Sequence, residues 1–275
     1  MPLKELDLEF EGTTIHCYEG GQGYPLLMIH GSGPGTASAT NWKYVMEPLA
    51  ERYRIVAMDL IGYGLSGRKK KEPYYDTNMW TRQAKFMLDY LSKDGPVGLI
   101  GHSLGGYLAL RAAAETPRVD KVLAQGALGA KTRLNPGIDI AWTHPKNEAA
   151  FRKLYKYVML DPGTLSAEFV RERLAVINKD GYGEYFSKMF KGGKAGKQRN
   201  LDQAILTKAH HKSLARCKIV LIHGAQDVSI PFEETTLALA KALPHADIVR
   251  LARCGHPCSF DQPEKFMKTA HALFG

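Results

Sequence analysis

The sequence lacks the features that would take it out of the class of ordinary globular proteins. Cysteine occurs only as Cys17, Cys217, Cys254 and Cys258 in a chain of 275 residues. So few scattered thiols provide no disulfide framework and fit a reducing compartment. No run of about 18 apolar residues is present, so no membrane-spanning helix and no membrane partner is expected. The start, Met1-Pro2-Leu3-Lys4-Glu5, lacks the apolar core of a signal peptide, and a cytoplasmic location is the expectation. Metal-ligand spacing is missing too: Cys254, His256 and Cys258 crowd two thiols and an imidazole together without the pattern of a zinc knuckle. No metal and no other cofactor is expected. There is no internal repeat. Acidic residues fall short of basic ones, 28 against 37, for a formal net charge of +9, with the excess in Arg68-Lys69-Lys70-Lys71 and in the stretch Lys188 to Arg199. Aromatics do not alternate with these basic residues and no nucleic-acid module is recognisable, so nucleic acid is set aside as a partner. A small anionic substrate drawn in by the positive field fits the charge better. Self-association into a homo-oligomer is left open.

What is present is an alternation of strand-like and helix-like patterns. Leu6 to Phe10 and Thr14 to Tyr18 alternate on either side of Glu11-Gly12, which predicts an opening hairpin. Runs suited to buried strands follow at Pro25–Ile29, Arg54–Met58, Val97–Ile100, Lys121–Ala127, Cys217–Gly224 and Ala246–Leu251. Helices are expected around Thr77–Leu91, directly after Ser103, and at Pro263–Phe274. Such alternation from Leu26 onward predicts an α/β fold with a mostly parallel, doubly wound sheet covered by helices on both faces. It stops at Lys131 and resumes after Lys208. Between them lie amphipathic stretches, Asn147–Met159 and Ala167–Ile177, punctuated by Pro145, Asp161-Pro162-Gly163 and the Gly/Lys-rich Lys191 to Gln198. The expected organisation is one core, residues 1–130 and 209–275, with a helical lid inserted at 131–208.

The chemistry centres on Gly101-His102-Ser103-Leu104-Gly105-Gly106. It lies between the apolar run Val97–Ile100 and the helical Tyr107-Leu108-Ala109-Leu110-Arg111-Ala112. A serine in G-x-S-x-G on a strand–turn–helix corner takes a strained backbone that exposes its hydroxyl, and the flanking glycines let strand and helix close up. The helix N-terminus behind it favours the negative charge of acyl transfer. A serine nucleophile needs a base, and the base needs an acid that fixes its tautomer. Asp227 follows one strand and His256 the next, giving the chain order Ser, Asp, His of the α/β-hydrolases. An acid placed one strand earlier is ruled out, because Gln125 to Ala130 contains no carboxylate. His16, His144, His210, His211, His223 and His245 have no comparable setting and are read as structural or exposed. The oxyanion hole is expected to join the Leu104 N–H, just after the nucleophile, to an N–H from the glycine-rich loop that follows Ile29.

That loop, His30-Gly31-Ser32-Gly33-Pro34-Gly35, with Asn41-Trp42 shortly after it, resembles the meta-cleavage-product hydrolases. These are the α/β-hydrolases that cut a carbon–carbon bond in 2-hydroxy-6-oxo-dienoates. The resemblance runs from about Leu26 to Phe274. It implies the Ser32 amide as the second oxyanion donor, Gly31, Gly33 and Asn41 at the substrate, and a lid arginine for the dienoate end. Arg173 matches that arginine, with Arg171 its neighbour in the same helix. Two positions depart from the family: His102 stands where Asn is usual and Pro257 where Trp is usual, both at the substrate pocket. The reaction this implies is a cofactor-independent hydrolysis beside a ketone. A carboxylester or lactone hydrolase with the same triad is the alternative, and a cofactor-free dioxygenase of the same fold is a further one. A dinucleotide-binding reading, invited by Gly31-x-Gly33 and by Asp59 ending the next strand, founders on Pro34 and Thr36, which break G-x-G-x-x-G.

Overall fold

The computed structural model describes residues 3–161 and 165–275, so that Pro162-Gly163, read above as a break, lies outside the described residues. Its strands are β1 (Lys4–Phe10), β2 (Thr13–Gly20), β3 (Pro25–Ile29), β4 (Arg54–Met58), β5 (Val97–His102), β6 (Val119–Gln125), β7 (Lys218–Gly224) and β8 (Asp247–Leu251). They form a single sheet in the order β1-β2-β4-β3-β5-β6-β7-β8. The pairs β1–β2 and β2–β4 are antiparallel and all the others parallel. The hairpin turns where expected: Glu11 and Gly12 both have positive φ, 49° and 72°, the mirror-image turn whose twist suits a two-residue connection.

Leu26, Leu27, Met28 and Ile29 are completely buried, which explains the unbroken apolar run of β3: both of its faces are covered. One face packs on the helices Thr77–Leu91 and Leu104–Glu115, the other on Trp42, Tyr53 and the helix Pro263–Phe274. The chain winds to one side of β3 to make β4 and to the other to make β5. The loops leaving the carboxyl ends of β3 and β5 therefore part company, and a crevice opens between them. β6 begins and ends two residues before the expected Lys121–Ala127, because the chain turns at Gly126, whose φ is +48°.

Between β6 and β7 the described residues form a helical cap. Glu148–Val158 and Ala167–Asn178 agree with the amphipathic stretches read from the sequence, whereas Pro136–Ala141, Tyr182–Met189 and Gly193–Asp202 were not legible. The last corrects the reading of Lys191 to Gln198 as a break. Gly192 and Gly193 take positive φ at the start of this helix, and a Cβ on Gly196 would stand 1.9 Å from the Lys191 carbonyl oxygen. Tertiary contacts then hold what propensity would not: Asn200 donates to the Met189 carbonyl at 3.1 Å, and the buried Lys197 ammonium lies 2.7 Å from Asp139 Oδ1 and 2.8 Å from Thr143 Oγ1. Of the basic runs, one is in the core and one in the cap: Lys191 of the cap pairs with Glu72 and Arg68 lies over the ring of the cap's Tyr182, while Lys69 pairs with Asp76 within the core.

Candidate active site

β5 delivers Ser103 to a sharp corner at φ 57°, ψ −118°, after which the helix Leu104–Glu115 begins at once. The glycines on either side have no room for a side chain. A Cβ on Gly101 would lie 2.3 Å from the Gly105 carbonyl oxygen, and one on Gly105 2.2 Å from that of Ile29. The corner is over-determined by its backbone: Ser103 N–H donates to the Gln125 carbonyl at 2.9 Å, and the Ser103 carbonyl accepts from Gly106 and Leu128. Strain at such a site persists because the surroundings hold it.

Asp227 turns out of β7 and is fixed before it meets the histidine. Its Oδ1 accepts from Ser229 N–H at 3.0 Å, Ser229 Oγ at 2.9 Å and Ile230 N–H at 2.9 Å, which leaves Oδ2 to face His256 Nδ1 at 2.6 Å. Burial alone would raise the Asp227 carboxyl. The charge and hydrogen bond of His256, followed by His223 and the Ile230 amide, outweigh burial and hold it below the usual carboxylate range. His256 itself is held from the cap, its N–H donating to the Val158 carbonyl at 2.8 Å. With Nδ1 on the carboxylate, Nε2 is the ring nitrogen left over.

Ser103 and His256 line one cavity of about 80 Å³ at the crevice between β3 and β5. Its floor is polar, with Gly31, Ser32, Gly33, Asn41 and His102. Its roof is the cap, with Ile138, Trp142, Leu154 and Tyr155. The space is well below the roughly 300 Å³ of most small-molecule sites. Gly31 is pressed against Ser103 and His102, where a Cβ would lie 3.2 Å from Ser103 Cβ and 3.3 Å from His102 Nδ1. Asn41 Oδ1 lies 2.8 Å from His102 Nδ1 and 3.4 Å from the Gly31 N–H. Leu104, wholly buried, supplies the first amide of the nucleophile helix.

Arg173 and Pro257 sit behind the wall and do not line the cavity. Arg173 is buried, with its guanidinium on Thr40 Oγ1, on the Pro34 carbonyl at 3.2 Å and on Thr36 Oγ1 at 3.5 Å. Pro34 and Thr36 are themselves lining residues. Among the described residues no carboxylate pairs with Arg173, and its Nε is buried without a partner. Arg171, its competitor by sequence, is exposed. Pro257 caps the short helix Cys258–Asp261. Cys254 and Cys258 are buried on either side of His256, whose Nδ1 is already taken by Asp227, and the described residues hold no group of three metal-ligating side chains. Asp59 has its oxygens on Ser38 N–H at 2.6 Å and Leu65 N–H at 2.9 Å, and the helix after the Gly31 loop is only Ser38–Asn41. A dinucleotide phosphate would find neither its helix nor its ribose partner there.

Three contributors escaped the sequence reading. Trp142 reaches down from the cap and donates from Nε1 to Ser32 Oγ at 2.9 Å, across 110 residues of chain. His223, grouped with the structural or exposed histidines, is completely buried with Nε2 3.5 Å from Asp227 Oδ2. Gly126 backs the acid–base pair, and a Cβ there would stand 2.9 Å from His256 Nδ1. Of the three, none had a local signal, Gly126 falling inside the expected strand Lys121–Ala127.

The sequence pattern of the alpha/beta hydrolase family matches residues 26–269. The chain belongs to that family. Within it, this alpha/beta hydrolase is 31% identical over 256 residues to a 2-hydroxymuconate semialdehyde hydrolase of Pseudomonas sp. (strain CF600), covering 93% of this chain and 88% of the relative. It is 30% identical over 258 residues to a 2-hydroxy-6-oxo-2,4-heptadienoate hydrolase of Pseudomonas putida strain F1, covering 94% and 91%. In three dimensions it superposes on a meta-cleavage product hydrolase from Pseudomonas fluorescens IP01 with a TM-score of 0.88 at 26% identity, over 96% of this chain and 94% of the other. The match takes in the cap as well as the sheet.

Proposed function

We propose that this alpha/beta hydrolase cuts the carbon–carbon bond beside the ketone of a 2-hydroxy-6-oxo-dienoate, the class of compound named in its relatives. The observation that carries the reading is the cavity itself. A serine on a strained elbow and a histidine clamped by a carboxylate open into one small space, and behind its wall stands a buried guanidinium that no carboxylate among the described residues pairs with. A buried cation held only by neutral groups suits an anionic ligand, and a dienoate brings its own carboxylate.

The residues divide the work as follows. The substrate first shifts from enol to ketone, losing the proton of its 2-hydroxyl and gaining one at C5. His256, oriented by Asp227, then takes the proton of Ser103 or of water as that oxygen adds to the C6 carbonyl. The resulting oxyanion is received by the N–H groups of Ser32 and Leu104. As the carbonyl re-forms, the C5–C6 bond breaks and its electron pair passes through the conjugated chain to the C2 oxygen. The products are a carboxylic acid and a 2-hydroxydienoate, and water supplies the balance. The segment 131–208 acts as the lid, and no cofactor takes part.

The test is turnover of 2-hydroxymuconate semialdehyde and 2-hydroxy-6-oxo-2,4-heptadienoate, followed by loss of dienoate absorbance, beside p-nitrophenyl esters and lactones. Dienoate turnover should exceed that of the other substrates, and Ser103→Ala should remove most of it while circular dichroism stays unchanged. Faster turnover of esters or lactones than of dienoates would overturn the substrate assignment. Undiminished turnover in Ser103→Ala would overturn the nucleophile.

A further inference from the structure

A second imidazole stands beside the acid of the pair. His223, the next-to-last residue of β7, is completely buried and does not line the cavity. Its Nδ1 lies 2.7 Å from Oγ1 of Thr236, which is buried too, and its Nε2 lies 3.5 Å from Asp227 Oδ2. The Phe232 ring meets it with centroids 5.5 Å apart, and over that ring lies the guanidinium of Arg250, the residue paired with His223 in the β7–β8 register. Burial first, and then His256 and Arg250, hold the His223 ring below its ordinary range against the pull of Asp227 and the Ile230 backbone. The ring is therefore neutral and carries a single hydrogen. Asp227 is ionised and its oxygens only accept, so a bare lone pair on Nε2 would face like charge. The hydrogen belongs on Nε2, and Nδ1 accepts from the Thr236 hydroxyl, which fixes that tautomer. Asp227 Oδ1 is already filled by three donors, and Oδ2 is shared between two imidazoles, His256 at 2.6 Å and His223 at 3.5 Å. The longer contact is not a full hydrogen bond, and the N–H acts on the acid through its dipole, in a buried space where such fields are strong.

We propose that His223 is a positioning residue: its Nε2–H draws on the charge of Asp227 Oδ2 and so limits how tightly that carboxylate holds a proton on His256. The inference rests on the Asp227–His256 pair of the reading above and does not depend on which bond is cut. A general base must stand unprotonated at rest and take a proton in the transition state, and the carboxylate behind it decides both. A carboxylate with its full charge 2.6 Å from the imidazole would favour the imidazolium at rest, and an imidazolium is no base. A neutral donor on the same oxygen moderates that charge without competing for the proton. The His256 charge also disfavours protonation of His223, so the two rings do not exchange roles.

NMR titration of the His256 ring in the full-length protein, labelled with carbon-13 at histidine Cε1 and with no substrate present, tests the assignment. A glutamine can place its amide nitrogen where Nε2 lies and an asparagine only where Nδ1 lies. His223→Gln therefore keeps the donor toward Asp227, and His223→Asn keeps only the bond to Thr236. Wild type and His223→Gln should titrate together, whereas His223→Asn and His223→Leu should show a His256 midpoint higher by about half a pH unit. His223→Asn is also the readable variant if His223→Leu does not fold. A midpoint in His223→Asn no higher than in wild type, or an equal rise in His223→Gln and His223→Asn, overturns the inference and makes the ring a packing element, with the substrate assignment left standing. A His256 midpoint that Asp227→Asn leaves unmoved overturns the acid–base pair and the inference with it.

Discussion

Gly126→Ala disturbs the Asp227–His256 pair without replacing either partner. Gly126 has φ +48°, and its N–H donates to the Ile222 carbonyl at 2.9 Å, so the backbone is not free to swing aside. The added methyl would sit 2.9 Å from His256 Nδ1, 3.0 Å from His256 Cε1 and 3.5 Å from Asp227 Oδ2. Ordinary carbon–nitrogen contact needs roughly 3.5 Å or more, so the imidazole must retreat by more than half an ångström. The 2.6 Å bond between Nδ1 and Oδ2 cannot be kept through that movement. A misplacement on this scale reduces turnover by about a hundredfold. Stability falls as well, by about 1–2 kcal/mol for alanine in the left-handed region and by about 1–3 kcal/mol for the crowding. Gly12→Ala is the matched control: its φ is +72° and nothing lies within 4 Å of its Cβ position, so it carries the backbone penalty and no contact. Steady-state kinetics and urea unfolding on both variants give the answer. Gly12→Ala should lose stability and keep its turnover. Undiminished kcat in a folded Gly126→Ala protein would refute the claim that this glycine sets the position of the base.

Asp227→Asn should lower kcat by about four orders of magnitude, because the amide neither stabilises the imidazolium nor fixes its tautomer; a nearly silent substitution would assign the acid elsewhere. Arg173→Ala should lower kcat/KM for a dienoate by roughly ten- to a hundredfold and affect a neutral p-nitrophenyl ester far less. Equal losses on both substrates, or a larger selective loss in Arg171→Ala, would refute its role toward the carboxylate. Stability should decline on mild acidification. His30, His102 and His223 have pKa values held below the ordinary 6.5, chiefly by burial, so that below pH 6.5 the unfolded chain takes up protons the native protein refuses. The stabilisation is complete above that pH and is lost below it, by up to about 1.4 kcal/mol per pH unit for each histidine. Equal urea midpoints at pH 7.5 and pH 5.5 would refute this.

The sheet and the residues of the candidate site were legible in the sequence for local reasons. β3 and β7 announce themselves because both faces are covered, and the elbow because its glycines, hydroxyl and helix are consecutive. The chain order Ser103, Asp227, His256 could be read because each residue follows its own strand. What stayed hidden depends on contacts distant in sequence. No local pattern tells that Trp142 meets Ser32, or that a glycine-rich stretch becomes the helix Gly193–Asp202 once Lys197 finds Asp139. Likewise, the sequence offered two arginines for the dienoate end, and only the packing of the cap buries Arg173 against Pro34 and leaves Arg171 outside.

The cap does more than cover the cavity, because two of its bonds run into the machinery below. Trp142 holds Ser32, and the Val158 carbonyl holds the backbone of His256. Were the cap to rise to admit a ligand, it would let go of the Ser32 loop and of the His256 backbone in the same movement. Admission and reaction would then belong to different states of the molecule, one with room for a guest and one with the Ser32 loop and the His256 backbone tied down by the cap.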